Sequence, residues 1–231
     1  NKRRYYRGIR LFTPSQFSSR LKTEGSSRAM TAVLLFLSFS LTILGPGLGK
    51  FVMNGIENAV PYDGTIFYAP MAGNKEAGDD PLGYLSQSGF HIDEFSDEYA
   101  DFWTYKSSEA TAGFLTGKEG GESDKIPLTV LGLEDYNRLL ALQNQPPVQL
   151  AEGEYAVSYA FPAMEEVLKA FQQEPQPLKL GDSTLTLAED GIFHYGWENT
   201  NILAEQGTLI VPQSLAESLT PQRWFLNFNF T

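Results

Sequence analysis

Five carboxylates stand close together in this chain: Asp93, Glu94, Asp97, Glu98 and Asp101. Acids so spaced can hold a cation, trade protons or simply solvate a surface. The run lacks the Asp/Asn–Gly spacing of a calcium loop. Charge runs usually form a solvated face. The sharper reading is a patch that attracts a cationic ligand such as an antimicrobial peptide.

Other chemistry is sparse. Two stretches resemble a nucleotide-binding loop, Gly45…Gly49-Lys50 and Gly113…Gly117-Lys118. Each has three residues between its glycines where four are required, and Phe51 and Glu119 replace the Ser or Thr that would meet magnesium. ATP hydrolysis would therefore have to come from a partner. Neither a G-x-S-x-G elbow nor an H-E-x-x-H helix occurs. The chain has no cysteine, which excludes disulfides and thiolate metal sites, and with only two histidines, His91 and His194, a histidine-rich centre is not expected. The two histidines are read as structural or surface groups. The chain is read as a non-enzyme without cofactor, and no nucleic-acid partner is expected.

Charge is distributed in blocks. Residues 1–28 hold eight Lys/Arg and one acid, a net of +7; residues 29–49 hold no charge; residues 50–231 net −18, against −11 for the whole. The uncharged block is the only long one. As a helix its length matches a bilayer core of roughly 30 Å. Val33 to Leu37, Phe39, Leu41, Ile43 and Leu44 make it apolar all round, whereas a buried core helix usually keeps a polar face. A signal peptide would have a shorter apolar core and an A-x-A cleavage site. A membrane span is the best reading. Thr31, Ser38, Ser40 and Thr42 can return their hydrogen bonds to the helix or to a neighbouring one. Gly45-Pro46-Gly47 should loosen its outer end. The positive-inside rule places residues 1–28 in the cytoplasm and residues 50–231 outside.

Within the head, Leu11, Phe12, Phe17 and Leu21 can share a face, and Thr13-Pro14 can open a helix. This segment is either an amphipathic helix on membrane lipid or a juxtamembrane loop that sets topology. A stalk, 50–57, leads to a mixed α/β domain over 58–231, so the fold class is α+β with one transmembrane helix.

Inside that domain, "DGTIFYAP" reads as a strand with Ile66 and Tyr68 on one side, and "SDEYADFWTYKS" as a strand in its second half. "KEGGESDK" is a polar loop. "IPLTVLGLEDYNRLLAL" predicts a strand and a helix with Leu133, Tyr136, Leu139 and Leu140 on one face. A short strand at Val148–Leu150, a turn at Gly153 and a strand through Tyr155, Val157 and Tyr159 follow. "PAMEEVLKAF" predicts a helix, "LKLGDSTLTL" a hairpin about Gly181-Asp182, "TLIVPQSLAESL" a strand then a helix, and "WFLNFNFT" a final strand. The Asn at position 1 and the alternation still running at the last residues predict a piece of a longer chain.

With these pieces placed, "KRRYYRGIRLFTPSQFSSRLKTEGSSRAMTAVLLFLSFSLTI" resembles the entry to the seventh membrane helix of FtsX-like ABC transporter permeases, in particular the BceB-like branch. "NAVPYDGTI" is similar to the opening of that family's large extracellular domain. "LEDYNRLLALQNQPPVQLAEGEYAV" is similar to its helix–loop–strand, with Glu134 where a serine is common, and "TLIVPQSLAESL" to a later strand–helix. The resemblance runs in family order through most of residues 2–220 and includes no invariant catalytic signature. It implies a many-helix permease subunit driven by cytoplasmic ATPase subunits. In the BceB-like branch it also implies recognition of cell-wall-active peptides and signalling to a membrane histidine kinase. It assigns no ligand residue here. The rival readings are a single-pass receptor or sensor ectodomain and a secreted enzyme behind an uncleaved anchor.

Overall fold

The computed structural model describes residues 25, 27–47, 49, 60–70, 78–117, 120–199 and 206–231. The chain divides into two compact units, Asn1–Met53 and Asn54–Thr231. The basic head up to residue 24, with its amphipathic segment, lies outside the described residues, as does the whole stalk.

In the first unit the described residues form helix α1, Ser27–Gly47, which is apolar and long enough to cross a membrane and has no part of it buried. Met30, Phe36, Leu41 and Ile43 are all exposed. Two hydroxyls are satisfied within the helix: Thr31 Oγ1 donates to Ser27 O at 2.9 Å and Thr42 Oγ1 to Ser38 O at 2.8 Å. Gly45-Pro46-Gly47, expected to loosen the outer end, is still helical. A proline there removes only one late backbone bond.

The second unit is a mixed α/β domain built on one eight-stranded sheet. Its strands are β1 Gly64–Tyr68, β2 Tyr99–Thr111, β3 Pro127–Gly132, β4 Glu154–Ser158, β5 Leu178–Leu180, β6 Ser183–Phe193, β7 Thr208–Val211 and β8 Thr220–Phe228. Their spatial order is β1-β8-β2-β3-β7-β4-β6-β5. β3 with β7 and β4 with β6 are parallel; the other neighbours are antiparallel. The helices are α2 Pro81–Gln87, α3 Ala112–Thr116, α4 Leu133–Leu142, α5 Glu165–Gln173 and α6 Gln213–Glu217.

Strand alternation sends side chains to two opposite faces. On one face Tyr136, Leu139 and Leu140 of α4 bury Leu131, Ala156, Ile210 and Phe225. On the other, Leu168 and Phe171 of α5 and Leu115 of α3 cover Val130, Tyr155, Val157 and Leu209. Every residue of β7 is buried. Central strands covered on both faces read as continuous apolar runs, as "TLIV" does. A third cluster joins Trp224, Leu226 and Phe228 of β8 to Ile92, with Ile66, Tyr68 and the Leu82 and Leu85 side chains of α2 against it. Ile66 and Tyr68 thus share a face as their alternation predicts.

After β6, residues 194–199 cross the α4 face as a strap. Tyr195 O accepts from Ser158 Oγ at 2.6 Å, Gly196 O from Gln143 Nε2 at 2.7 Å and Trp197 O from Asn227 Nδ2 at 2.7 Å. Asn199 closes it on the backbone of Tyr62: its Oδ1 accepts the Tyr62 N–H at 3.1 Å and its Nδ2 donates to Tyr62 O at 2.8 Å.

Three local expectations differ from the fold. Val148–Leu150 forms no strand. Asn137 of α4 takes the place of a strand partner, donating from Nδ2 to Val148 O at 2.9 Å and accepting the Val148 N–H on Oδ1 at 2.8 Å. β2 occupies 13 residues and not only the second half of its motif, because β8 pairs with it from Tyr99 onward. The Pro162–Met164 stretch is a 3-10 turn that leads into α5. The hairpin about Gly181-Asp182 forms as expected, with Gly181 at φ +56°, where glycine is favoured.

Candidate functional site

The five carboxylates come from one turn, one loop and one strand. Asp93 and Glu94 lie in the 3-10 turn Ile92–Glu94, anchored by buried Ile92. Asp97 and Glu98 belong to the loop before β2. Ser96 holds that loop: its Oγ donates to Glu98 O at 2.7 Å and accepts the Glu98 N–H at 3.2 Å. The Asp97 N–H donates to Thr231 Oγ1 at 3.0 Å. These four acids are exposed, and Asp101, in β2, is half-buried.

Only Asp97 and Glu98 line a common groove, of about 420 Å³, with Tyr99, Arg138 and Asn144 along its walls. Arg138 is a cation within the patch. Its Nη2 donates to Asp101 O at 2.8 Å, and its Nη1 lies 3.8 Å from Asp101 Oδ1. Asp101 is thereby committed to an internal partner, which lowers the pull of the groove on an incoming cation.

The same Arg138 reaches a group that sequence patterns missed. Asp135, only 7% exposed, bonds Arg138 Nη2 through Oδ1 and accepts Gln213 Nε2 on Oδ2 at 3.0 Å. Gln213 Oε1 accepts the Asp135 N–H at 3.4 Å, and Gln213 Nε2 also donates to Glu217 Oε1 at 3.0 Å. Gly132 precedes α4 and has no side chain to cap it, so α6 supplies the acceptor. A Cβ on Gly132 would lie 2.0 Å from Gln213 Oε1. This charged cluster fastens two helices, and of its members only Arg138 lines the 420 Å³ groove. The only sequence signal was acids in the first turn of a helix, a pattern that usually means dipole compensation.

A larger cleft, of about 880 Å³, lies between the end of β2, α3 and the loop at Gly120–Lys125. It exists because β2 bulges: Lys106 faces Thr129 and Thr111 faces Pro127, so four β2 residues pass one β3 residue. Glu109, Phe114, Asp124 and Lys125 line it. Glu109 Oε2 accepts the Gly181 N–H at 2.8 Å and Lys125 pairs with Glu122 at 3.3 Å, so much of its charge is engaged internally. Gly113 and Gly117 also line it, yet the residues between them are α3 itself, closed by Gly117 at φ +63°. A phosphate loop precedes its helix; this stretch is the helix. The Gly45–Gly49 stretch likewise belongs to helical backbone through Gly47.

Of the two histidines, His194 packs and His91 does not. His194 Nε2 lies 3.0 Å from Ala160 O and its ring stacks on Tyr159 at 4.5 Å. His91 is exposed before the Ile92–Glu94 turn. Among the described residues no three His, Asp or Glu converge as metal ligands would, and no buried side-chain polar atom lacks a partner.

Three buried tyrosines give the domain an alkaline limit. Burial holds the Tyr62 and Tyr155 phenols above their ordinary value; burial, then the nearby Asp135 and Glu217 charges, does the same for Tyr105. A raised folded-state pKa favours the protonated form, so this stabilisation is complete below the unfolded value of about 10 and is lost as pH rises past it. Stability in denaturant should fall above pH 10, with tyrosinate absorbance lagging until the domain unfolds. Full ionisation of all tyrosines before any loss of circular dichroism would contradict this.

No protein-family model matches this chain, and no curated protein matches it.

Proposed function

We propose that the chain is a segment of the permease subunit of an FtsX-like ABC transporter of the BceB-like branch. In this reading α1 crosses the cell membrane, residues 1–28 are cytoplasmic and residues 50–231 form an outward-facing domain that meets cationic, cell-wall-active peptides. ATPase subunits on the cytoplasmic side drive the transporter, and a membrane histidine kinase is a candidate signalling partner. The observation that carries the reading is one of order. A head of +7 is followed by an uncharged stretch, 29–49, whose helix has no part of its apolar window buried, then by a domain of −18. The resemblance of the flanking motifs supplies the family.

The geometry of the domain supports it. β1 and β8, the first and last strands among the described residues, are paired, Gly64 facing Phe228. Asp63 Oδ2 accepts the Phe230 N–H at 2.9 Å and Asn229 Oδ1 the Asp63 N–H at 3.2 Å. The residues about Asp63 and those about Asn229 thus lie side by side, an arrangement that suits a domain inserted between two membrane segments.

Co-expression with an ATPase subunit from the same operon tests the proposal. The two should co-purify in detergent; a chain that purifies alone under every condition would argue for the receptor reading, which the single candidate span among the described residues favours. Release of the domain by a signal peptidase would identify α1 as a leader. The acidic patch has its own test. Changing Asp93, Glu94, Asp97, Glu98 and Asp101 to their amides should weaken binding of a cationic peptide at low salt by about tenfold and leave high-salt binding nearly unchanged. Unchanged low-salt affinity would rule the patch out.

A further inference from the structure

β8 ends at Phe228, and the three residues after it tie together parts of the domain that are far apart in sequence. Asn229 uses both ends of its side-chain amide. Its Oδ1 accepts the Asp63 N–H at 3.2 Å and its Nδ2 donates to Leu142 O at 2.9 Å. The Phe230 N–H donates to Asp63 Oδ2 at 2.9 Å. Thr231 Oγ1 accepts the Asp97 N–H at 3.0 Å, and the Thr231 N–H donates to Phe95 O at 3.4 Å. The segment therefore meets Asp63, directly before β1, Leu142, the last residue of α4, and the acidic loop before β2. Two of these, Asp97 and Leu142, line the groove of about 420 Å³.

Little apolar burial holds the segment in place. Phe230 is 61% exposed, with its ring edge-on to Phe228 at 5.6 Å between centroids, and Thr231 is exposed as well. A segment fixed by a few exposed hydrogen bonds and few apolar contacts opens locally at low free energy, whereas a fully buried strand such as β7 opens only with the whole domain.

We propose that residues 229–231 are a latch that seats and leaves as one piece, and that it links the acidic loop and its groove to the entry of the chain into the sheet. The entropy lost in ordering three adjacent residues is shared by the contacts at both ends. Loss of the bonds at one end therefore weakens those at the other, which is the signature of coupled rather than independent sites. Resting on the proposed function, a cationic peptide held by Asp97 and Glu98 favours the seated form and is thereby registered at Asp63, on the α1 side of the sheet in sequence. The latch itself does not depend on that reading.

Residue-resolved hydrogen exchange of the full chain in detergent micelles tests the latch. Asn229→Ala makes no direct change at Asp97, yet should speed exchange of the Asp97 amide at least tenfold. Thr231→Val makes no direct change at Asp63, yet should do the same for the Asp63 amide. Thr231→Ser keeps the acceptor and should hold the parent rate at both. The amides of residues 208–211 in β7 should keep parent rates throughout, which separates release of the latch from loss of the domain. If each substitution speeds only the amide it bonds directly, the contacts are independent and the proposal is wrong. Equal acceleration over 208–211 overturns it too, since the segment would then be ordinary support of the fold. Pentalysine added at low salt should slow the Asp63 amide at least threefold in the parent and not in Thr231→Val. Binding of pentalysine without that effect overturns the link from groove to entry. Absence of binding sinks the acidic-patch reading instead, while the exchange rates of the variants still decide the latch.

Discussion

Phe36→Asp combined with Leu41→Asp should release the chain from the membrane fraction. Both side chains are fully apolar and more than two-thirds exposed, at 70% and 72%, so neither packs on a described part of the chain. An acid near the middle of a spanning helix costs about 2.5–3.5 kcal/mol, so two together cost about 5–7 kcal/mol and exceed what the apolar remainder sustains. Carbonate extraction reads the result directly. The absence of cysteine allows the topology to be read in the same strain. In an otherwise native chain, Ser123→Cys should react with an impermeant maleimide on intact cells, and Ser19→Cys should react only after lysis. If the double aspartate chain stays in the carbonate pellet, or both cysteines label alike, α1 is not a transmembrane span with this orientation. A leader peptide would give a third pattern, a shortened chain in the medium.

Trp197→Ala should be the most damaging single change within the mixed α/β domain. Trp197 is 5% exposed and lies edge-on to Phe225 at 5.1 Å and to Phe102 at 5.9 Å. Its indole Nε1 donates to Thr208 Oγ1 at 2.7 Å, and its carbonyl accepts from Asn227. The substitution leaves a large cavity on the α4 face and an unpaired hydroxyl in β7. Such a change costs about 3–5 kcal/mol, a large share of the 5–15 kcal/mol that ordinarily separates folded from unfolded domains. Trp197→Phe keeps a ring but loses the hydrogen bond, and should cost about 1–3 kcal/mol. Urea midpoints followed by circular dichroism would rank the two. Equal midpoints for Trp197→Ala and the parent would mean that the strap contributes nothing to the fold.

The loop 194–199 has few sequence signals of this importance. "HYGWEN" mixes aromatic and polar residues without a period of two or 3.6, so local pattern reading assigns it no element. It matters because its carbonyls meet donors from β4, from Gln143 just past the end of α4 and from β8, residues distant along the chain. Asn137 is a similar case. Its place in "LEDYNRLLAL" reads as a polar helix position, and only the return of Val148 to its side makes it a surrogate strand partner. The acidic patch was visible as a charge run, whereas its partial neutralisation was not, since Arg138 is far from Asp101 in sequence.

What the sequence by itself determined is the segmentation of the chain and the character of each segment. Hydropathy and charge mark α1 and the blocks on either side of it, because length and absence of charge are local properties. Alternation and 3.6-residue spacing mark β1, α4, the hairpin of β5 and β6, and the β7–α6 pair for the same reason. The tertiary structure alone decided which strand sits beside which. "TVLG", "YAVS" and "TLIV" are interchangeable apolar runs to any local measure, yet β7 enters between β3 and β4, parallel to one and antiparallel to the other. That order follows from burying α4 on one face and α5 on the other, a packing energy summed over the whole sheet that no single segment carries.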